Sequence, residues 1–158
     1  MNNTVLKMLS VENFASFAEP VIFTTETDIS KKEYLENTFV YGDNRFNKVS
    51  FLYGANGSGK TFFCKSIREI HRLLDWSPLT AMNNSQLLSL PQLKGIDVPV
   101  KSFAFDTDYH QRPTRFIIEL VIDEVTYHYE FSVLGKVIES ELLTKKYRRT
   151  EKLIERTS

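Results

Sequence analysis

Apolar and polar residues alternate over much of this chain, and the alternation predicts strands more often than helices. Val5-Leu-Lys-Met-Leu-Ser-Val-Glu-Asn13 alternates loosely and predicts a strand. Val21-Ile-Phe-Thr-Thr25 is a β-branched run that predicts a second. The bend between them, Phe14-Ala-Ser-Phe17, carries two aromatics. So short a separation predicts an antiparallel hairpin within residues 1–25. Residues 26–48 are polar, with Gly42-Asp-Asn44 as a turn signal. They predict a connection with one helical turn around Lys31 to Glu36.

The period changes once. From Phe62 to Trp76, Phe63, Ile67, Ile70 and Leu74 recur at helical spacing and predict one apolar helix face. Ser77-Pro78 predicts its end. Residues 77–99 form a linker containing Asn, Ser and Pro, with Leu87, Leu88 and Leu90 as its apolar cluster. A loop of that length is commonly functional or mobile. The β signal then returns as Val100–Phe105, Arg115–Ile122, Val125–Val133 and Val137–Leu143. Asp123-Glu124 and Gly135-Lys136 fall between runs as hairpin turns. Residues 100–156 therefore predict an antiparallel meander.

The change of period coincides with the most informative stretch. Val49-Ser-Phe-Leu-Tyr53 predicts a short strand running into Gly54-Ala-Asn-Gly-Ser-Gly-Lys-Thr61, which fits the phosphate-binding P-loop pattern without mismatch. Strand, glycine loop and helix over residues 49–76 are the context that pattern requires. A phosphate must be reached by several backbone N–H groups at once. Gly54, Gly57 and Gly59 allow the chain to fold around it without a Cβ in the way. The following helix adds its free N–H groups and positive dipole end. Ala55, Asn56, Ser58 and Phe62 complete the backbone of the loop and first turn. Lys60 places a charge on the β- and γ-phosphates, and the Thr61 hydroxyl is the candidate Mg²⁺ ligand. ATP and Mg²⁺ are the expected cofactors.

Composition narrows the surroundings rather than the chemistry. The 158 residues suffice for a single domain with its own core. Basic and acidic residues number 20 each, so global charge gives no argument for nucleic acid or membrane. The basic cluster Lys145-Lys-Tyr-Arg-Arg149 reads as a solvated strand end or turn, with a phosphate-backbone contact as the lesser alternative. The single cysteine, Cys64, excludes an internal disulfide and suits a reducing compartment. No apolar run reaches membrane-spanning length and no signal pattern opens the chain. A cytoplasmic protein is expected.

One further stretch invites a catalytic reading. Leu120-Val-Ile-Asp-Glu124 has the form of a Walker B segment, in which Asp123 would hold Mg²⁺ and Glu124 would polarise the attacking water. Only two residues separate the flanking β runs, so the hairpin reading is preferred and Glu124 is retained as a minor catalytic candidate.

Leu-x-x-Leu-Ser-Val-Glu-Asn-Phe-Ala-Ser-Phe, from Leu6 to Phe17, followed by Phe51–Thr61, resembles the start of an ABC-class ATPase head. The type is that of RecF, SMC and the AAA-family ATPases of bacterial abortive-infection and anti-phage systems. Phe116–Asp123, Tyr127–Phe131, Val137–Glu141 and Leu153–Arg156 are similar to the β-lobe of the anti-phage branch. The resemblance implies an α/β fold, the N-terminal half of a P-loop NTPase head with an antiparallel β-lobe beside the P-loop strand and helix. It also implies two heads sandwiching two ATP molecules, a homo-oligomer, and a partner effector; DNA is a further possible partner. Relatives often carry Arg where this chain has Ala15. A Gln-loop, signature motif, Walker B and switch His are not recognisable, and Gln86, Gln92, His71 and His128 are not assigned to them. The expectation is an N-terminal portion or one part of a split ATPase. A nucleotide-binding module without turnover is the alternative, and a small kinase or GTPase a poorer third.

Overall fold

The computed structural model describes residues 3–28, 30, 34–80, 100–135 and 137–157, with the side chains of 74–80 outside the description. Its centre is a six-stranded antiparallel sheet formed by β1 (Thr4–Glu12), β2 (Val21–Thr24), β5 (Thr114–Ile122), β6 (Val125–Leu134), β7 (Val137–Lys146) and β8 (Thr150–Thr157). The strand order is β2-β1-β5-β6-β7-β8. A separate two-stranded hairpin joins β3 (Thr38–Tyr41) to β4 (Asn44–Asn47), and the helix α1 spans Lys60–Thr80.

Alternation sorts the sheet into two faces. On one, Val11, Phe116 and Phe131 stand in a row across three strands, and the two phenyl rings stack at 5.2 Å. Leu9, Val133 and, from α1, Phe63, Ile70 and Leu73 close the same core. Each such side chain withdrawn from water contributes about 1.5–3 kcal/mol. The opposite face carries Arg115 with Glu130, Glu119 with His128, and Ser132 with Ser140 as cross-strand pairs. A one-residue slip would exchange the two faces, so this polarity fixes the register.

The predicted N-terminal hairpin is present as β1 and β2. The meander forms as β5, β6 and β7, and Asp123 and Glu124 both adopt positive φ (49° and 66°), as a two-residue hairpin turn requires. Lys145 and Lys146 end β7, and Tyr147–Arg149 form the turn after it. β8 is an additional strand.

Several expectations are corrected. Val49–Tyr53 is not a strand, and no described strand lies beside it to take its backbone hydrogen bonds. Phe51 is 83% and Tyr53 92% exposed. Val100–Phe105 is also irregular: its backbone bonds run to the 13–15 bend instead of to a ladder. The polar connection 26–48 holds the β3–β4 hairpin, turning at Gly42, with Phe39 against Phe46 at 5.6 Å. Of the helical turn predicted there, Lys31–Glu33 lie outside the described residues, and a short 3-10 helix occupies Leu35–Asn37. α1 runs past Ser77-Pro78 to Thr80. Its buried stripe is Phe63, Ser66, Ile70 and Leu73, while Ile67 is 46% exposed. Linker residues 81–99, with Leu87, Leu88, Leu90, Gln86 and Gln92, lie outside the described residues.

Candidate phosphate-binding loop

The loop is shaped by its glycines where conformation or space demands it. Gly57 and Gly59 hold φ of +82° and +90°, which an L side chain rarely adopts. Gly59 is also pressed against the rest of the fold. A Cβ there would lie 2.5 Å from the Phe17 ring and 2.8 Å from the Ser16 Oγ. The Phe63 N–H donates to the Gly59 carbonyl at 2.9 Å and closes the first helical turn. The N–H groups at the helix start, from Lys60 to Phe62, have no carbonyl one turn earlier within α1, as at any helix N-terminus.

Lys60 lies over the loop it follows. Its ammonium donates to the carbonyls of Gly54 at 2.8 Å and Ala55 at 2.7 Å, and stands 3.4 Å from the Ser58 Oγ. The cation is thus held against the backbone of the turn that precedes it. Thr61 is exposed one residue further on, and Phe62 is half-buried beneath the Lys65 ammonium, 5.2 Å from its ring centre. The residues present suit an anion: backbone donors at the helix start, one ammonium, the hydroxyls of Ser58 and Thr61, and no carboxylate in the loop itself.

What holds the loop in place escaped the sequence reading. The bend 13–17 is stapled by Asn13, which is 2% exposed and has φ of 50°. Its Nδ2 donates to the carbonyls of Tyr109 at 2.9 Å, Arg112 at 2.8 Å and Pro113 at 3.3 Å. Its Oδ1 accepts from the Phe103 N–H at 2.9 Å. Thr114 Oγ1 donates to the Asn13 carbonyl at 2.7 Å. The strap 100–113, which contains a 3-10 helix at Thr107–Gln111, therefore fixes the bend, and the bend presents Ser16 and Phe17 to Gly59. The Ser16 Oγ is buried there without a hydrogen-bond partner. The available signal was the Asn13-Phe14-Ala-Ser-Phe17 run itself, whose two aromatics sit at a bend rather than within a strand.

The other candidates are not brought to the loop. Glu124 occupies the β5–β6 turn, its Cβ 3.5 Å from where a Cβ on Gly42 would stand. The length of β5 lies between it and Thr114, the strand's first residue, which bonds the Asn13 bend, roughly 25–30 Å at the usual rise per residue. His128 pairs with Glu119 at 3.0 Å on the polar sheet face, and His71 lies on α1. Among the described residues no group of three or more His, Cys, Asp or Glu is arranged to hold a metal, and no helix is long and apolar enough to cross a membrane.

A family model described as "AAA domain, putative AbiEii toxin, Type IV TA system" matches residues 49–158, from the segment that enters the loop to the last residue. Comparison with curated proteins and with solved structures gives no match.

Proposed function

The chain belongs to this AAA-domain family, and we propose that it is the N-terminal half of an ABC-class ATPase head, binding Mg·ATP on Gly54–Thr61. The observation that carries the reading is the position of Lys60. Its ammonium is held over a glycine turn by neutral carbonyls of Gly54 and Ala55. A phosphate oxygen is a charged acceptor, and charge-assisted hydrogen bonds are roughly twice as strong as neutral ones. The ammonium can therefore turn from the carbonyls to the β- and γ-phosphates without leaving the loop. The N–H groups of Lys60 to Phe62 at the start of α1 are the backbone donors left for the same anion, and the Thr61 hydroxyl is the group suited to Mg²⁺. Mg·ATP, when bound, supplies a transferable γ-phosphoryl group whose charge the cation partly offsets.

In this reading the sheet is the β-lobe of the head, residues 1–158 are one domain, and the exposed Val49–Tyr53 segment and Ile67 face the remainder of an ATPase core. ATP-driven pairing of two heads would control a partner effector in a defence or DNA-maintenance system. The toxin–antitoxin wording of the family description supports the defence branch. A binding module without turnover is the second reading, favoured by the placement of Glu124 about a strand length from the loop. The experiment is steady-state phosphate release by the chain, with Lys60→Ala as control. Negligible release is expected, because positioned general-base action alone is worth about 10²–10⁴-fold. Lys60-dependent turnover near 1 s⁻¹, at the low end for ordinary enzymes, would mean that the catalytic groups are already present and overturn the half-head reading.

A further inference from the structure

β8 is the edge of the six-stranded sheet: it pairs with β7 on one side, and no described strand pairs with the other. All eight of its residues are exposed. Its register with β7 jumps from Leu143↔Ile154 to Thr144↔Lys152, so Leu153 is a bulge residue outside the ladder. The seven residues in register are Thr150, Glu151, Lys152, Ile154, Glu155, Arg156 and Thr157.

Read outward from Ile154, these residues are charge-complementary to their own reverse. Lys152 and Glu155 are equidistant from it, then Glu151 and Arg156, then Thr150 and Thr157. We propose that β8 pairs antiparallel with β8 of a second copy of this chain, about a two-fold axis through Ile154, joining two sheets into one. Lys152 then faces Glu155 of the second copy, Glu151 faces Arg156 of the second copy, and Ile154 faces itself. Each charged pair occurs twice, and opposite charges placed directly across a ladder stabilise it.

Symmetry makes the bulge essential. A two-fold axis perpendicular to a sheet preserves faces, so it must set a residue opposite its own copy. The unbulged eight-residue strand has its centre of charge complementarity between Leu153 and Ile154, where no such axis can lie. Removing Leu153 from the ladder moves that centre onto Ile154. Neighbouring registers are opposed: centring on Lys152 or on Glu155 sets like charge against like. Edge lysines and glutamates usually block pairing, whereas here they select one register.

Lys152 and Glu155 of one β8 already lie 2.6 Å apart and exchange partners across the joint, while two other ion pairs extend the ladder. Lys145 on β7 lies 3.0 Å from Glu151, and Glu141 on β7 lies 2.6 Å from Arg156. Across the joint the order becomes Lys145, Glu151, then Arg156 and Glu141 of the second copy, alternating in sign over four strands. This contact is separate from the phosphate-binding loop and needs no nucleotide.

The test is sedimentation equilibrium of the intact chain without nucleotide, for the parent, Lys152→Glu and Glu155→Lys. Each variant alone places like charges opposite one another at two positions. The parent is expected to dimerise, and each variant to dimerise about tenfold more weakly or worse, with an unchanged circular dichroism spectrum. Mixed together, the two variants restore every opposite-charge pair and are expected to form a heterodimer, seen by native mass spectrometry. A monomeric parent would overturn the proposal. So would association that survives both single changes, which would place the contact elsewhere, for example on Val49–Tyr53, and so would a mixture that fails to restore the dimer.

Discussion

Gly59→Ala should be the most damaging single methyl that can be added to the loop. Two costs act together. Its φ of +90° strains any L residue, about 1–3 kcal/mol. The new Cβ would also stand 2.5 Å and 2.8 Å from two atoms of the Phe17 ring and 2.8 Å from the Ser16 Oγ. Phe17 and Ser16 cannot retreat freely, because the Asn13 hydrogen bonds anchor their bend to residues 103–113. Overpacking of this kind costs roughly 1–3 kcal/mol, giving about 2–6 kcal/mol in all. Gly57→Ala is the matched control. It shares the positive φ, +82°, but has nothing within 4 Å of the added carbon, so only the strain of about 1–3 kcal/mol remains. Equilibrium urea denaturation of both variants, repeated in a Phe17→Ala background, measures the difference. Removing the ring should shrink the penalty of Gly59→Ala and leave that of Gly57→Ala unchanged. Equal penalties at the two glycines, or a Gly59 penalty indifferent to Phe17, would refute the packing of the bend against the loop.

Two other perturbations probe the scaffold. Asn13→Leu keeps the branched shape but strands the carbonyls of Tyr109 and Arg112 and the Phe103 N–H; three stranded groups at about 1–3 kcal/mol each give an expected loss of roughly 3–9 kcal/mol in urea, and a loss under about 0.5 kcal/mol would remove the staple. Tyr129 has its phenol pushed above its ordinary value of 10.0, first by burial and then by the hydrogen bond to Glu141. The folded state thus favours the neutral phenol, so this contribution is whole below pH 10 and is lost as pH rises beyond it. Tyr129→Phe should flatten the alkaline fall in stability above pH 10, and an unchanged alkaline limb would contradict that assignment.

The contrast between legible and illegible elements has a physical basis. β5, β6 and the turn between them were readable because one face is buried and the other wet, and that asymmetry is written as alternation. The β3–β4 hairpin was not, since Asn44, Arg45 and Asn47 surround its one buried anchor, Phe46. Val49–Tyr53 and Val100–Phe105 have strand composition but no neighbouring strand among the described residues, and composition cannot supply a hydrogen-bond partner. On α1 the periodicity selected Ile67, whereas the structure buries Ser66, whose hydroxyl donates back to the Phe63 carbonyl at 2.6 Å and so conceals its polarity. The glycine turn ahead of α1 was legible because the positive φ of Gly57 and Gly59 is a local requirement. Its support, Asn13 with Tyr109, Arg112 and Phe103, joins segments about 90 to 100 residues apart, as the intervals of 90, 96 and 99 show, and no local pattern records such a contact.

The central claim is that Gly54–Thr61 is built to hold a nucleotide's phosphates through Lys60, and isothermal calorimetry of the chain with Mg·ATP tests it most directly. The parent should bind, and Lys60→Ala should bind more weakly by well over tenfold, since a charge-assisted hydrogen bond is worth about 1.5–3 kcal/mol and each 1.4 kcal/mol is about a factor of ten. Equal affinity in the two proteins would contradict the claim.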